Sequence, residues 1–400
     1  MSLYTPVSSD LDPFSPEFRA DPFTAYVRLR ELGAPLVWLP QYSIWVVSRY
    51  EPVRAVLGDW KRFSNAGGGG IKNYFLEEPW RRPSLILEVD PPEHQRTRRV
   101  LMQALAPERL QQLRPVFEAQ ADAIIEEALE RGTLDAIPDL AQRFPLTVFP
   151  DAVGMKREDR SNMLIYGAMV FGGFGPVVPW YENLMQQAEE VSAWIMERCK
   201  RESLAPDGIG AAIYAQADAG VIDHGEAMLL VRSLLSAGVD TTIDSIGLCL
   251  RCLADHPDQW ELLKSDPDMA RAAFEEATRY DSSSQSLFRT TCEDFEFGGV
   301  PLQKHQKVLV LIGAAGRDPD KWTDPDKFDI TRRVTASQIG YGAGIHSCVA
   351  QMMARLEAEV FLRSLARKVE HIELTGTPRL RLQPGLRGLS SLPIRLMRKS

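Results

Sequence analysis

Cysteine and histidine are scarce in this chain. Cys199, Cys249, Cys252, Cys292 and Cys348 are its five cysteines, an odd and sparse set that excludes a disulfide framework and fits a reducing, cytoplasmic setting. Cys249 and Cys252 form a C-x-x-C. No second pair accompanies them and only six histidines are scattered along the chain, so a zinc site lacks ligands and the pair reads as core packing. No run of about 20 apolar residues is present, which excludes a membrane-spanning helix. Excess positive charge is missing as well, and the net charge of −8 argues against general nucleic-acid binding. Met1 to Asp21 is polar, is broken by Pro6, Pro13 and Pro16, and has no basic segment followed by an apolar run, so no secretory signal is expected. No internal repeat stands out.

The remaining composition is ordinary. At 400 residues, 44% apolar and 25% charged, the chain can bury a cofactor without disulfides. Three glycines, Gly340, Gly342 and Gly344, crowd the approach to Cys348, and apolar residues at helical spacing follow from Val349 to Phe361. The cysteine thus stands where a tight loop enters a helix. A helix N-terminus favours an anion, which helps a thiol lose its proton. A thiolate held by such a loop is a good axial ligand for haem iron. A lone cysteine is otherwise a small buried hydrophobe.

Residues 22–60 read as helix, hairpin and helix, and Gly67–Gly70 as a mobile loop. In Trp80–Leu87, Arg81 and Ser84 stand against an apolar run ending in Leu87: either a surface edge or the wall of an anion pocket. Asp90–Arg98 starts a helix with Pro and acid at its beginning. His94 and Arg98 share a face, either a solvated one or one that meets an anion. Phe171 and Phe174 lie in an apolar, turn-prone segment that is either core or the lid of a pocket.

Glu226–Leu250 is the longest apolar helical pattern in the middle of the chain, with Ser236-Ala237-Gly238-Val239-Asp240-Thr241-Thr242 at its centre. Gly238 costs about 1 kcal/mol relative to Ala in a helix, and the hydroxyl residues compete for backbone hydrogen bonds. Such breaks of a local rule are expected at functional sites. What they offer is a groove for O2 above a metal, a hydroxyl to bond it and a carboxylate to relay protons. Further on, Glu276 and Arg279 are spaced to pair, strands alternate from Thr290 to Gly313, and Leu386–Leu389 reads as a loop able to close a pocket.

The pattern Tyr341-x-x-Gly344-x-x-x-Cys348 leading into a helix resembles the haem-binding loop of the cytochromes P450. Ala237–Thr241 is similar to that family's oxygen-activating Ala-Gly-x-Asp-Thr, and the other motifs follow in family order over nearly the whole chain. The resemblance implies one domain over 1–400, mainly α with a small β-rich part, and haem b between the Asp240 and Cys348 helices. It implies Cys348 as iron ligand, and Asp240 and Thr241 delivering protons for monooxygenation. Ala237 and Gly238 would then line the haem, with His94, Arg98, Arg289 and His346 as contacts to it. Glu276, Arg279 and Arg332 would be the structural set beside it. Two departures are Tyr341 for the usual Phe and Ala350 for a glycine, which imply altered packing rather than loss of haem.

No flavin or Fe–S segment is seen, so the resemblance implies electrons from a ferredoxin with its NAD(P)H-dependent reductase. Arg96, Arg99 and Arg355 are expected to present a basic patch to it. Arg81, Ser84, Phe171, Phe174, Arg232, Ser233 and Ser236 look like the bacterial branch that oxidises para-substituted benzoic acids. In that branch the polar residues hold the carboxylate and the aromatics sandwich the ring. The alternative for Arg81 and Arg232 is a surface or salt-bridge role. Leu87, Ser284 and Leu287 would complete the pocket. Ser284 and Leu287 are smaller or more polar than expected there, which leaves room for a bulkier phenolic or cinnamic acid. Other readings are a neutral terpenoid or phenol as substrate, a peroxygenase on the same scaffold, and a haem-thiolate sensor without turnover.

Overall fold

A computed structural model describes residues 4–399. Stretches with apolar residues at helical spacing form helices whose apolar faces meet in one large core. The helices that position the site are Glu93–Ala104 (α1), Pro107–Arg131 (α2), Ser161–Gly172 (α3), His224–Gly238 (α4), Asp240–Asp255 (α5), Ala270–Tyr280 (α6) and Gln351–Lys368 (α7). Helix α7 lies on α2 and α6, and α5 packs on α6. Phe144 bridges this layer, with ring centroids 6.5 Å from Phe117 of α2 and 5.3 Å from Phe361 of α7.

The Glu226–Leu250 pattern is divided into two helices at Val239. The break follows from the residues around it. A Cβ at Gly238 would stand 2.4 Å from the Phe149 ring, so the backbone approaches that ring where only glycine fits. The Thr241 and Thr242 hydroxyls donate to the carbonyls of Ala237 (2.8 Å) and Gly238 (3.0 Å), competing with the backbone for its own acceptors. At the other end, α4 starts with a reciprocal cap: Glu226 N–H donates to Asp223, and Asp223 N–H to the Glu226 carboxylate.

The β-rich part is built on a five-stranded sheet. In spatial order it runs Val37–Leu39 (β1), Ile44–Val47 (β2), Lys307–Leu311, Ser286–Thr291 and Phe63–Ser64 (β3), with Ser286–Thr291 named β4 and Lys307–Leu311 named β5. β2 and β5 pair in parallel, and the other pairs are antiparallel. Alternation along β4 sends Phe288 to one face, against Val46 and Leu309. Leu287 and Arg289 point to the other face, where Leu287 packs with Trp45, Val308 and Val310 and the charge of Arg289 acts on His346.

Two short-range readings differ from the fold. Leu386–Ser391 (β7) is a strand, antiparallel to Arg379–Gln383 (β6), because its carbonyl and N–H rows find partners there. Its first residue also bridges Ser284. The Gly67–Gly70 run is tied down rather than free. Lys307 Nζ donates to the Gly67 and Gly68 carbonyls at 3.1 and 2.9 Å, and Phe288 N–H donates to the Gly69 carbonyl at 3.2 Å.

Candidate active site

Cys348 is presented by a loop whose turns need glycine. Gly342 and Gly344 hold φ of +75° and +71°, and a Cβ at Gly344 would stand 2.8 Å from the Leu57 carbonyl oxygen. Cys348 N–H donates to the Tyr341 carbonyl at 2.8 Å, closing the loop on itself. A turn at residues 349–350 separates the cysteine from α7, so the thiol lies just ahead of the helix rather than in its first turn. Enclosure by protein pushes the thiol above its ordinary value, against the Ala350 N–H, Arg98 and Arg355, which pull it down. The polypeptide alone therefore does not acidify Cys348 as the helix N-terminus suggests; a coordinated metal deprotonates a thiol outright. Beneath the loop, the Arg355 guanidinium covers the Tyr341 ring at 4.5 Å, and the Tyr341 hydroxyl is buried without a hydrogen-bond partner.

Around the loop is a group of donors short of acceptors. The His94 and His346 rings lie 4.1 Å apart, and none of their four buried nitrogens has a hydrogen-bond partner. His346 Nε2 stands 3.4 Å from Asp90 Oδ1, outside good hydrogen-bond geometry. Burial, then the charges of His346 and Arg98, push His94 down to about 4. Arg289 is buried and donates to the Phe288 carbonyl at 2.9 Å; burial pushes it down to about 10. Arg98 holds Ser347, through its carbonyl at 2.8 Å and its hydroxyl at 3.3 Å. Such a cluster fits a doubly anionic group, as the propionates of haem are, because buried charges need partners.

Across from the loop, Thr241 is half-buried and Ala237 is exposed to the interior space at the helix break. Asp240 is buried and faces α3. Burial pushes its carboxyl up to about 7, with Arg381 opposing and Asp244 adding. On the far side of α6, Glu276 and Arg279 form a doubly bonded pair at 2.8 Å that is fully buried. Arg279 also donates to the Gly316, Pro325 and Lys327 carbonyls, and Arg332 approaches Glu276 Oε1 at 3.4 Å.

Above the break is a polar end and an apolar end. The Ser84 hydroxyl lies 2.9 Å from that of Ser233, and Ser236 donates to the Ser233 carbonyl at 3.3 Å. Arg81 is ion-paired with Glu88 at 3.0 Å, and Glu88 also accepts from Ser84 N–H at 2.7 Å. Arg232 is 4% exposed and donates to the Arg82 and Pro83 carbonyls, with no carboxylate paired to it among the described residues. The apolar end unites Phe171, Phe174 and Leu386 with Leu87 packed on them. One turn carries a residue of each end, since Leu87 N–H donates to the Ser84 hydroxyl at 3.2 Å. Ser284 is half-buried and bridges Leu386 of this group, whereas half-buried Leu287 packs on the sheet-side cluster with Trp45, Val308 and Val310.

The Cytochrome P450 family profile matches residues 265–395. CYP199A2 of Rhodopseudomonas palustris is 48% identical over 387 residues, spanning 96% of this chain and 93% of that protein. This chain belongs to the cytochromes P450. Cytochrome P450 107B1 of Saccharopolyspora erythraea is 31% identical over 401 residues, with 96% and 98% of the two chains covered. Cytochrome P450 CREJ, solved in complex with (4-ethylphenyl) dihydrogen phosphate, superposes with a TM-score of 0.85 at 26% identity, covering 96% of this chain and 98% of that one. The fold is that of the family, mainly α with small sheets, and the P450 is a haem-dependent monooxygenase that uses O2. Its haem b is matched by the orphaned histidine nitrogens and buried Arg289 beside the Cys348 loop. No helix among the described residues is long and apolar enough to cross a membrane.

Two residues of the expected basic patch are spent elsewhere in the P450. Arg355 is buried on α7 and ion-paired with buried Glu275, because a guanidinium inside the core needs a carboxylate. Arg96 makes a two-pronged pair with Glu226. Arg99 remains exposed, at a cleft of about 520 Å3 it shares with Arg98, Met102, Gly344 and Ile345. Glu88, Asp244 and Arg381 are site residues that the sequence does not single out, whereas Leu386 lies in the expected pocket-closing segment. Asp244 is one turn from Asp240 and Glu88 four residues from Ser84, spacings that were available; Arg381 and Leu386 reach the site only through tertiary packing.

Proposed function

We propose that this P450 oxidises a small aromatic carboxylic acid, a para-substituted benzoate-like or cinnamate-like compound, by O-demethylation or hydroxylation at the end opposite the acid. The observation that carries this is Arg232. Its guanidinium is buried with only neutral carbonyl partners, beside an Arg81 already neutralised by Glu88. Arg81, Glu88 and Arg232 sum to one positive charge, which a monoanionic ligand balances. The Ser84 and Ser233 hydroxyls are the neutral donors that complete carboxylate binding. Phe171, Phe174, Leu386 and Leu87 offer faces for an aromatic ring. By helical rise, Ser233 lies about 12 Å along the α4–α5 line from Thr241, which directs the far end of a seated acid toward the oxygen groove. The para-substituted aryl phosphate held by CREJ is a ligand of the same design, an anion on an aromatic ring.

When bound, haem supplies the oxidising chemistry, with electrons delivered from outside the chain. Cys348 Sγ would hold it, and His94, Arg98, Arg289 and His346 would meet its acidic groups. Thr241 presents a hydroxyl at the groove, and Asp240 exchanges protons behind it. The electron donor in this reading is a ferredoxin with its reductase, docking at the Arg99 cleft beside the Cys348 loop. The test is a Soret titration with para-substituted benzoic and cinnamic acids and their methyl esters. Tight binding by the acids and its loss in the esters is expected. Equal binding of acid and ester overturns the carboxylate reading in favour of a neutral terpenoid or phenol.

A further inference from the structure

Behind the oxygen groove, Asp240 belongs to a charged cluster that the groove itself does not require. Asp244 follows one turn later on α5, on the same face, and the two acids are 2% and 1% exposed. Arg381 of β6 reaches both from outside the helix: its Nη2 lies 2.5 Å from Asp244 Oδ2 and its Nη1 3.7 Å from Asp240 Oδ1. Asp240 Oδ1 and Asp244 Oδ1 have no hydrogen-bond partner. Neighbouring backbone is cut back to admit the pair. A Cβ at Gly167 of α3 would stand 1.7 Å from Asp240 Oδ2, and one at Gly388 of β7 would stand 1.8 Å from Asp244 Oδ1. From its own helix Asp240 faces Asp244, from β6 Arg381, and from α3 the uncharged Gly167. No other charged side chain among the described residues pairs with either acid.

One partly exposed cation thus caps two buried carboxylates. Two acids this close do not both ionise cheaply, so the cluster retains a proton. The unequal fork decides where. Asp244 has the short, direct bond to the guanidinium, and Asp240 has the long one. We propose that Arg381 is a positioning residue for proton delivery: by anchoring on Asp244 it leaves the exchangeable proton of the cluster on Asp240, next to Thr241. Burial pushes Asp240 up to about 7 and Asp244 only to about 6, with Arg381 pulling both down, in the same order.

The signs of two substitutions then oppose one another. Arg381→Gln removes the cation that reaches both acids, so Asp240 holds its proton to higher pH. Asp244→Asn removes a like charge and frees Arg381 to close on Asp240, so Asp240 releases its proton at lower pH. The experiment is an infrared pH titration of the haem-loaded, substrate-free enzyme, following the protonated-carboxyl band that disappears in Asp240→Asn. The midpoint should rise by about one pH unit in Arg381→Gln and fall by about as much in Asp244→Asn. Arg381→Lys, which keeps the charge and loses the fork, should lie between wild type and Arg381→Gln. The reduced carbon monoxide spectrum verifies that each variant holds haem. Should Arg381→Gln fail to fold, the direction of the Asp244→Asn shift and the position of Arg381→Lys decide. Unmoved midpoints, or midpoints moving the same way in the Arg381 and Asp244 variants, overturn the proposal.

Discussion

The hydroxyl oxygens of Ser84 and Ser233 stand 2.9 Å apart, although 149 residues separate them in the chain. That contact joins the Arg81–Leu87 loop to α4 two turns above the helix break. It sets the polar end of the pocket at a fixed distance from the oxygen groove. Arg232, next to Ser233, is held in the same contact zone by the Arg82 and Pro83 carbonyls.

Replacing Arg232 by Gln should weaken binding of aromatic acids selectively. A charge-assisted hydrogen bond contributes about 2 kcal/mol, which corresponds to a roughly thirtyfold rise in Kd. Soret titrations of the variant should show that rise for the acids and little change for their methyl esters. A parallel loss for acid and ester would assign Arg232 to pocket architecture alone.

Glu88 has a different role, since it neutralises Arg81 instead of binding ligand. With side-chain exposures of 10% for Arg81 and 2% for Glu88, the pair is desolvated. Glu88→Gln keeps an acceptor for Ser84 N–H but leaves the guanidinium unbalanced, a loss of about 3–5 kcal/mol for a buried pair. Chemical denaturation of the haem-loaded protein measures it. A change below about 1 kcal/mol, the range of an exposed pair, would mean that Arg81 reaches water.

Lys307 gives the fold a pH dependence of definite sign. Burial, then the charge of Arg289, pushes it down from 10.5 to about 7, despite its bonds to the Gly67 and Gly68 carbonyls. Below about pH 7 the folded and unfolded chains both hold the proton, and the cost of burying the charge is fully present. Between pH 7 and 10.5 the unfolded chain binds more protons at this site, so its contribution to stability rises with pH. Unfolding free energies measured from pH 7 upward should climb more steeply in wild type than in Lys307→Met. Matching slopes would place the lysine in contact with solvent.

At the cleft beside the Cys348 loop, Arg99→Glu should raise the apparent KM for a ferredoxin severalfold and leave substrate binding alone, with the effect fading as salt rises. Arg96→Glu is expected to be less specific, because Arg96 already serves Glu226. An Arg99→Glu enzyme with unchanged ferredoxin kinetics would move the docking site elsewhere.

The features that were legible in the sequence are those fixed over short range. A glycine loop ahead of a cysteine and a glycine–acid–threonine run inside an apolar helix carry their chemistry within one turn of backbone, because φ freedom and hydroxyl competition act between near neighbours. Strand β7 reads as a loop in the sequence, since a strand becomes visible only with the partner that accepts its hydrogen bonds, here β6. The break at Val239 was hidden inside an unbroken apolar period, and it depends on the Phe149 ring pressing on Gly238 from another helix.

Sequence alone therefore determined the family of this protein: a glycine loop ahead of a cysteine, a glycine–acid–threonine run, and the order in which they occur. Tertiary structure decided which charges neutralise which. Arg355 turned inward to Glu275, Arg81 to Glu88, and Arg381 to Asp240 and Asp244, while Arg232 was left with neutral carbonyls. The physical reason is that a charge buried away from water must find its partner through space, and folding, not spacing along the chain, selects that partner.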